Sequence, residues 1–489
     1  MRRAAFPLIA ALALTVSCTK DPDKRPGKDK LNDTASTTTD VVIATPKELA
    51  VTYEESEVIP TVLIVSWTAD PGRGQIEYGL TANLGETTPL TAEGESHERV
   101  VLGLKAASLY YWRVVHELPD GTRLASPTLT FQTGEPPDGY KKYTLHTVDP
   151  AQSEVHGGFL LISQAGAGNS FASIIDSDGD LVWWATDTGG EEQIMRARMA
   201  LDGKSIVYSA YDGDRSSDLG RIYRMSLDGR TSTETRALSH HHDFVQRDAN
   251  TFAWLSWDYE PHVIDNLPMD VAADVVRMAP EGYMEEEEHS RLFSFFSDFP
   301  IAPFWSCSHM GYDQYVNDHY EWTHSNSVNY EPVEDAFYVL ARYIDTLVKI
   351  DASTGSYIWQ MGGDNNDFTS PEGDGLINHS HMSHVWPGGA LIFDNNNHAG
   401  QNTSVIEYEW DEATMTVEKV WEYAEPSGRF TSFLGDARRL PNGNTLITFS
   451  PHGDIHEVTP AGDIVWEAST NQTPWRVSYV PDLYDPFGS

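Results

Sequence analysis

The sequence predicts an all-β fold, a β-propeller of about six blades preceded by a small fibronectin type III or Ig-like β-sandwich. Three observations predict it. Helical periodicity is nearly absent, and apolar residues alternate in short runs broken by Gly, Asn and Asp turns. One unit, an apolar strand, a polar turn and an apolar strand ending in Trp, recurs as Ile174 to Trp184, Val348 to Trp359 and His456 to Trp466, and more loosely as Val405 to Trp421. A second hairpin recurs as Arg198 to Ser209, His384 to Asn395 and Arg438 to Ser450, and repeats at this spacing are the signature of propeller blades.

In chain order, residues 1–17 read as a secretory signal. Arg2 and Arg3 precede an apolar run, Phe6 to Val16, that is too short to span a bilayer. Residues 14–18 are similar to a lipoprotein processing site, so Cys18 is the expected lipidation point, with the chain exported and anchored at a bacterial outer membrane by lipid alone. Residues 18–40 are polar and charged and read as a flexible tether. Residues 41–135 hold short alternating strands, clearest at Val62 to Trp67 and Leu109 to Val115. Leu104 to Val114 resembles the fibronectin type III corner, with Tyr110 and Trp112 two apart and so on one face. Residues 140–485 carry the repeats; only Met284 to Phe295 has the composition of a short helix. The Asp176-Ser-Asp178-Gly-Asp180 run could suggest calcium, but between two apolar strands it reads as a hairpin turn.

Charge and cysteine content narrow the function. A formal charge of −40 repels nucleic acid, and an anionic substrate would need a local basic pocket. With only Cys18 and Cys307, a lipidated Cys18 leaves no intramolecular disulfide.

Of the 18 histidines, twelve lie between His240 and His398. Three open similar segments, each His-x-x-x-Val: His241 to Val245, His324 to Val328 and His381 to Val385. Two residues on from each stand Asp243, Asn326 and Ser383. Strand alternation would place His, the small polar residue and Val on one face, and equivalent strands of neighbouring blades face the central channel. Three imidazoles are therefore expected to converge.

Around these histidines the chain resembles the bacterial arylsulfate sulfotransferases that use no nucleotide donor. The resemblance rests on His324-Ser-Asn326-Ser-Val-Asn-Tyr, on Arg342 eighteen residues after His324, and on Gly362-Gly363 followed by Asn366-Asp367-Phe368. It continues in His241-His242-Asp243 and in His381 ahead of Pro387-Gly-Gly and Phe393-Asp394-Asn395. It implies His381 as nucleophile, with His324, His241 and Arg342 catalytic, and Asn326, His242, Asp243 and His384 binding substrate. The hairpin after His381 is one residue short of the family pattern, and His379 and His384 flank it, so all three stay candidates for the nucleophile.

The chemistry suits the residues. A neutral imidazole can both attack sulfur and later leave it, a second His can deprotonate a phenol, and Arg342 and Asn326 can hold sulfuryl oxygens. The expected partners are a small aromatic sulfate and a phenolic acceptor; no cofactor or metal is expected, and a homodimer is compatible. The chain holds no nucleotide-binding Gly-x-x-x-x-Gly-Lys-Ser/Thr loop. Three rivals stand beside this reading. Asp351 to Trp359 resembles a quinoprotein docking repeat, the histidines could share a metal ion as in lactonase-type propellers, or the propeller could bind without catalysis.

Overall fold

A computed structural model describes residues 48–488, apart from 167–168, 187–191, 213–219, 265, 286–289, 300–314, 317–318, 372, 374 and 399–401. The signal, the tether, Cys18 and Cys307 lie outside the described residues. Nearly every element is a strand; the one helical element among the described residues is a single 3₁₀ turn, Ser450–His452. Of the stretch Met284 to Phe295, which could have held a short helix, Ser290–Ser294 is a strand paired with Leu267–Pro280, and 286–289 lie outside the described residues. None of the helices among the described residues is long and apolar enough to cross a membrane.

The described residues divide into two compact units. The first takes residues up to 55, 64–99 and 111–129. Its strands belong to one hydrogen-bonded network of seven, in which the 17-residue strand Leu63–Gly79 pairs with four others. Trp67 and Trp112 are buried at its centre, and Trp67 Nε1 donates to His116 Nδ1 at 3.2 Å.

The second unit comprises 56–63, 100–110 and 130 onward, and its strands form six sheets, the six blades of a propeller. Blade 1 joins Thr473–Val480 to Phe159–Gly166, Asn169–Asp176 and Leu181–Thr186. Blades 2, 3, 4 and 5 begin at Glu192–Met199, Phe244–Asp248, Ser325–Glu331 and Met382–Trp386. Blade 6 begins at Asp436–Arg439 and ends with Thr144–Val148 as a fifth strand. The ring is thus fastened twice: a carboxy-terminal segment supplies the innermost strand of blade 1, and an amino-terminal one the outermost strand of blade 6.

The repeats seen in the sequence are hairpins of these blades. Trp184, Trp359, Trp421 and Trp466 all lie on fourth strands, and Trp184, Trp359 and Trp466 are buried in the apolar layers between blades. One such layer packs Tyr338, Leu340, Trp359 and Met361 of blade 4 against Ala390, Ile392, Tyr408 and Trp410 of blade 5. A fully buried aromatic or aliphatic side chain contributes roughly 1.5–3 kcal/mol, so these layers hold the blades together without covalent cross-links.

The Asp176-Ser-Asp178-Gly-Asp180 turn is a hairpin. Its carboxylates surround Lys105 Nζ at 3.1, 2.9 and 2.7 Å, an ammonium sitting where a cation would. Burial tends to lower the Lys105 pKa, but the three carboxylates outweigh it and hold it far above the usual lysine value.

Candidate active site

The inner strands of the blades lie next to one another, and the expected site residues cluster where the chain enters three of them. The histidines are not strand residues. The inner strands start at Phe244, Ser325 and Met382, so His241, His324 and His381 stand in the loops just before, which corrects the alternation argument. His242, His324 and His379 take left-handed φ values of 54°, 48° and 54°. Non-glycine residues bear about 1–2 kcal/mol for this conformation. It turns the chain sharply onto the inner strand, and such strain gathers at functional sites.

The loops nevertheless bring the histidines together. His241 Nδ1 and His242 Nδ1 are 2.8 Å apart, and the rings of His242 and His324 meet edge to face at 4.9 Å. His324 in turn contributes to the electrostatic field at His381. Trp257 stacks on His241 at 4.1 Å and Tyr343 on His324 at 4.5 Å, so aromatic faces fix two of the rings.

His381 is buried, and its Nδ1 lies 2.6 Å from Asn395 Oδ1. The orientation of that amide is fixed by its other end, since Asn395 Nδ2 donates to the carbonyls of Thr431 at 2.6 Å and Leu434 at 3.0 Å. Asn395 therefore presents an acceptor, His381 carries its proton on Nδ1, and the Nε2 lone pair is left available. Burial, then the charges of Arg342 and Arg476, press the His381 pKa well below the usual imidazole range and keep the ring neutral.

The other two rings differ in what surrounds them. His324 Nδ1 lies 2.9 Å from Glu321 Oε2, a buried carboxylate, so that its Nε2 is the nitrogen turned to other work. His241 has Asp274 Oδ1 3.0 Å from Nε2 and His242 at Nδ1, so protein groups face both its nitrogens.

Arg342 sits across the hairpin from His324, its backbone N–H donating to the His324 carbonyl at 3.1 Å. Its guanidinium lies over the Tyr343 ring at 5.7 Å and donates to the Ser432 carbonyl at 3.1 Å. Asn326 donates from its amide nitrogen to the Ser380 carbonyl at 3.4 Å, and the same nitrogen carries a second N–H.

Asp243 and His384 sit among different partners. Asp243 Oδ1 and Oδ2 accept from Arg198 at 3.1 and 3.3 Å, and Oδ2 also accepts from Val328 N–H at 3.2 Å, which ties blades 2, 3 and 4. Burial raises its pKa, but Arg198, Arg196 and Arg476 outweigh it and hold the carboxylate ionised. His384 accepts from Arg439 N–H at 3.3 Å, and burial followed by Arg438 brings its pKa down to about 3. Both residues serve joints between blades.

Two residues that sequence reasoning did not single out complete the picture. Asn395 was visible only as part of a Phe-Asp-Asn motif. Arg476, on the closing strand of blade 1, is 3% exposed and donates to the carbonyls of Gly435 at 2.6 Å, Asn326 at 3.0 Å and His381 at 3.4 Å. Nearby, Arg196 reaches Asp436 at 3.2 Å and Asp243 at 3.6 Å, so the channel is lined by paired buried charges.

Comparison with known proteins bears on the family of the chain. No curated protein matches the chain. Similar solved structures include a protein of unknown function from Bacteroides caccae, 13% identical over 66% of this chain and 99% of that one, with a TM-score of 0.37. A putative 6-phosphogluconolactonase from Bacteroides fragilis is 12% identical over 84% and 98%, with a TM-score of 0.35. Likeness so slight carries no argument about function. The profile of the Arylsulfotransferase (ASST) family, by contrast, matches residues 144–473, every blade strand but the closing one, Thr473–Val480. The chain belongs to the arylsulfotransferase family.

Proposed function

We propose that the protein transfers a sulfuryl group from a phenolic sulfate ester to a phenolic acceptor through a sulfated histidine at His381. Family membership supports aryl sulfotransfer in general. The observation that carries the finer reading is the pinned Asn395 amide, which directs the His381 proton to Nδ1 and leaves Nε2 nucleophilic.

In the first half-reaction the Nε2 lone pair attacks sulfur. The S–O bond to the aryl group breaks, its electron pair stays on the phenol oxygen, and protonated His324 supplies that oxygen with a proton from Nε2. In the second, His324, now neutral, takes the proton of an incoming phenol, whose oxygen attacks sulfur. The N–S electron pair then returns to His381, and both rings end as they began. His324 suits the proton-transfer role better than His241, because both nitrogens of His241 face protein groups. Arg342, whose charge acts at His381, is the cation we assign to the sulfuryl oxygens, where it would offset the repulsion a chain of charge −40 exerts on an anion.

The test is peptide mass spectrometry after incubation with an aryl sulfate and no acceptor. A sulfuryl adduct on His381, absent in His381→Ala, is the expected result. An adduct on His379 or His384 overturns the residue assignment, and absence of both adduct and transfer over a wide panel of aryl sulfates and phenols overturns the mechanism.

A further inference from the structure

We propose that Asp345, His379 and His398 form a binding site for one divalent transition-metal ion of the zinc class, beside the sulfuryl-transfer centre and separate from its covalent chemistry. A ligand atom from each lies within 4.8 Å of the others. His398 Nε2 is 2.7 Å from Asp345 Oδ2, and the two imidazole rings meet edge to face at 4.6 Å. Tetrahedral zinc with bonds of about 2.0–2.1 Å sets its ligand atoms roughly 3.3 Å apart, so modest side-chain rotation closes the set around an ion.

The three ligands come from three turns that are already braced to one another. Asp345 Oδ1 accepts from the His379 N–H at 2.7 Å. Asn378, beside His379, accepts at Oδ1 from the His398 N–H at 2.9 Å and donates from Nδ2 to Asn396 Oδ1 at 2.8 Å, while its carbonyl accepts from Asn396 N–H at 3.1 Å. These bonds fix the backbones that carry the ligands, as outer-shell contacts do around metal centres.

The donor set decides which ion fits. Two imidazoles and one carboxylate favour zinc, cobalt or nickel over calcium or magnesium, which prefer oxygen alone. His379 is buried, whereas the side chains of Asp345 and His398 are 22% and 33% exposed, so an ion has a path in and a fourth position open to water. The other acidic cluster among the described residues, Asp176, Asp178 and Asp180, holds Lys105 and is not a competitor. His379 stands two residues before His381, and its ring lies 6.2 Å from that of Tyr343, which stacks on His324. An ion here would brace the loop that delivers the nucleophile.

The experiment is a cobalt(II) titration of the full chain after chelator treatment, followed by visible ligand-field absorption. Saturation at one equivalent is expected. In His398→Ala and Asp345→Asn, affinity should fall by more than the ~10–100-fold that losing an outer-shell partner costs. Absence of ligand-field absorption with cobalt in excess overturns the proposal, as does binding unchanged in both variants. Should the variants fail to fold by circular dichroism, X-ray absorption of the zinc-loaded wild-type chain decides. Two imidazole nitrogens in the first shell support the site, and an oxygen-only shell overturns it. These readouts do not depend on sulfuryl transfer, so the metal site and the catalytic reading stand or fall separately.

Discussion

Replacing Asn395 by alanine tests the tautomer argument at its source. The side chain makes three contacts, one accepted from His381 Nδ1 and two donated to the Thr431 and Leu434 carbonyls. Thr431 keeps a second donor in Thr403 Oγ1 at 3.3 Å, so the groups left bare are chiefly the Leu434 carbonyl and His381 Nδ1. Each unsatisfied buried group costs about 1–3 kcal/mol, which should lower the melting temperature without preventing folding. The catalytic effect is a separate quantity. As His381 bonds to sulfur its ring gains positive charge, and the Nδ1–H bond to Asn395 becomes charge-assisted, worth about 1.5–3 kcal/mol. At 1.36 kcal/mol per factor of ten, kcat/KM for the donor should fall roughly 10- to 100-fold. The assay follows the burst of nitrophenol from a nitrophenyl sulfate without acceptor, which isolates the step on His381. Asn395→Asp retains an acceptor for Nδ1–H and should lose less activity than Asn395→Ala, though it sets a carboxylate against two carbonyls. A folded Asn395→Ala protein with a wild-type burst rate would refute the reasoning.

Two other expectations follow from the same contacts. Arg476→Met removes a guanidinium that holds three backbone carbonyls and helps neutralise buried carboxylates, so it should destabilise the fold by about 3–5 kcal/mol in urea titration and weaken transfer. A fold as stable as wild type would show that Arg476 is dispensable. Lys105→Met takes the ammonium out of the Asp176, Asp178 and Asp180 cluster and should create calcium sensitivity, about 1.4 kcal/mol of stabilisation at ten times the dissociation constant, where the wild-type chain shows none. Calcium-independent melting of a folded Lys105→Met protein would contradict this.

Blade count and the convergence of histidines could be read in the chain because both are written locally. A hairpin carries its own turn residues, and a Trp such as Trp359 marks a fourth strand whatever lies beyond it. The placement of His241, His324 and His381 was legible in direction but not in detail. Strand alternation assumes that pairing begins at the motif, whereas the left-handed turns at His242 and His324 and the strand starts at Phe244, Ser325 and Met382 put the rings in loops. What stayed hidden depends on residues far apart in the chain. Asn395 is oriented by carbonyls at 431 and 434, and Arg196 meets Asp436 across 240 positions. The packing of one blade on the next brings the first set together and closure of the ring the second, and no local pattern records either. The Asp345, His379 and His398 cluster is of the same kind, since its members sit in three separate turns.

The strand Thr473–Val480 follows every other blade strand in the chain, yet it occupies the innermost place in blade 1 and carries Arg476 to the carbonyl of His381. The last blade strand to be synthesised is therefore also the one that completes the ring. A nascent chain that has emitted five blades and three strands of blade 1 still has an open seam, and the backbone of His381, the proposed nucleophile, lacks its clamp. Catalytic competence then appears in a single late event rather than growing blade by blade, and turnover becomes a direct readout of whether the circle has shut.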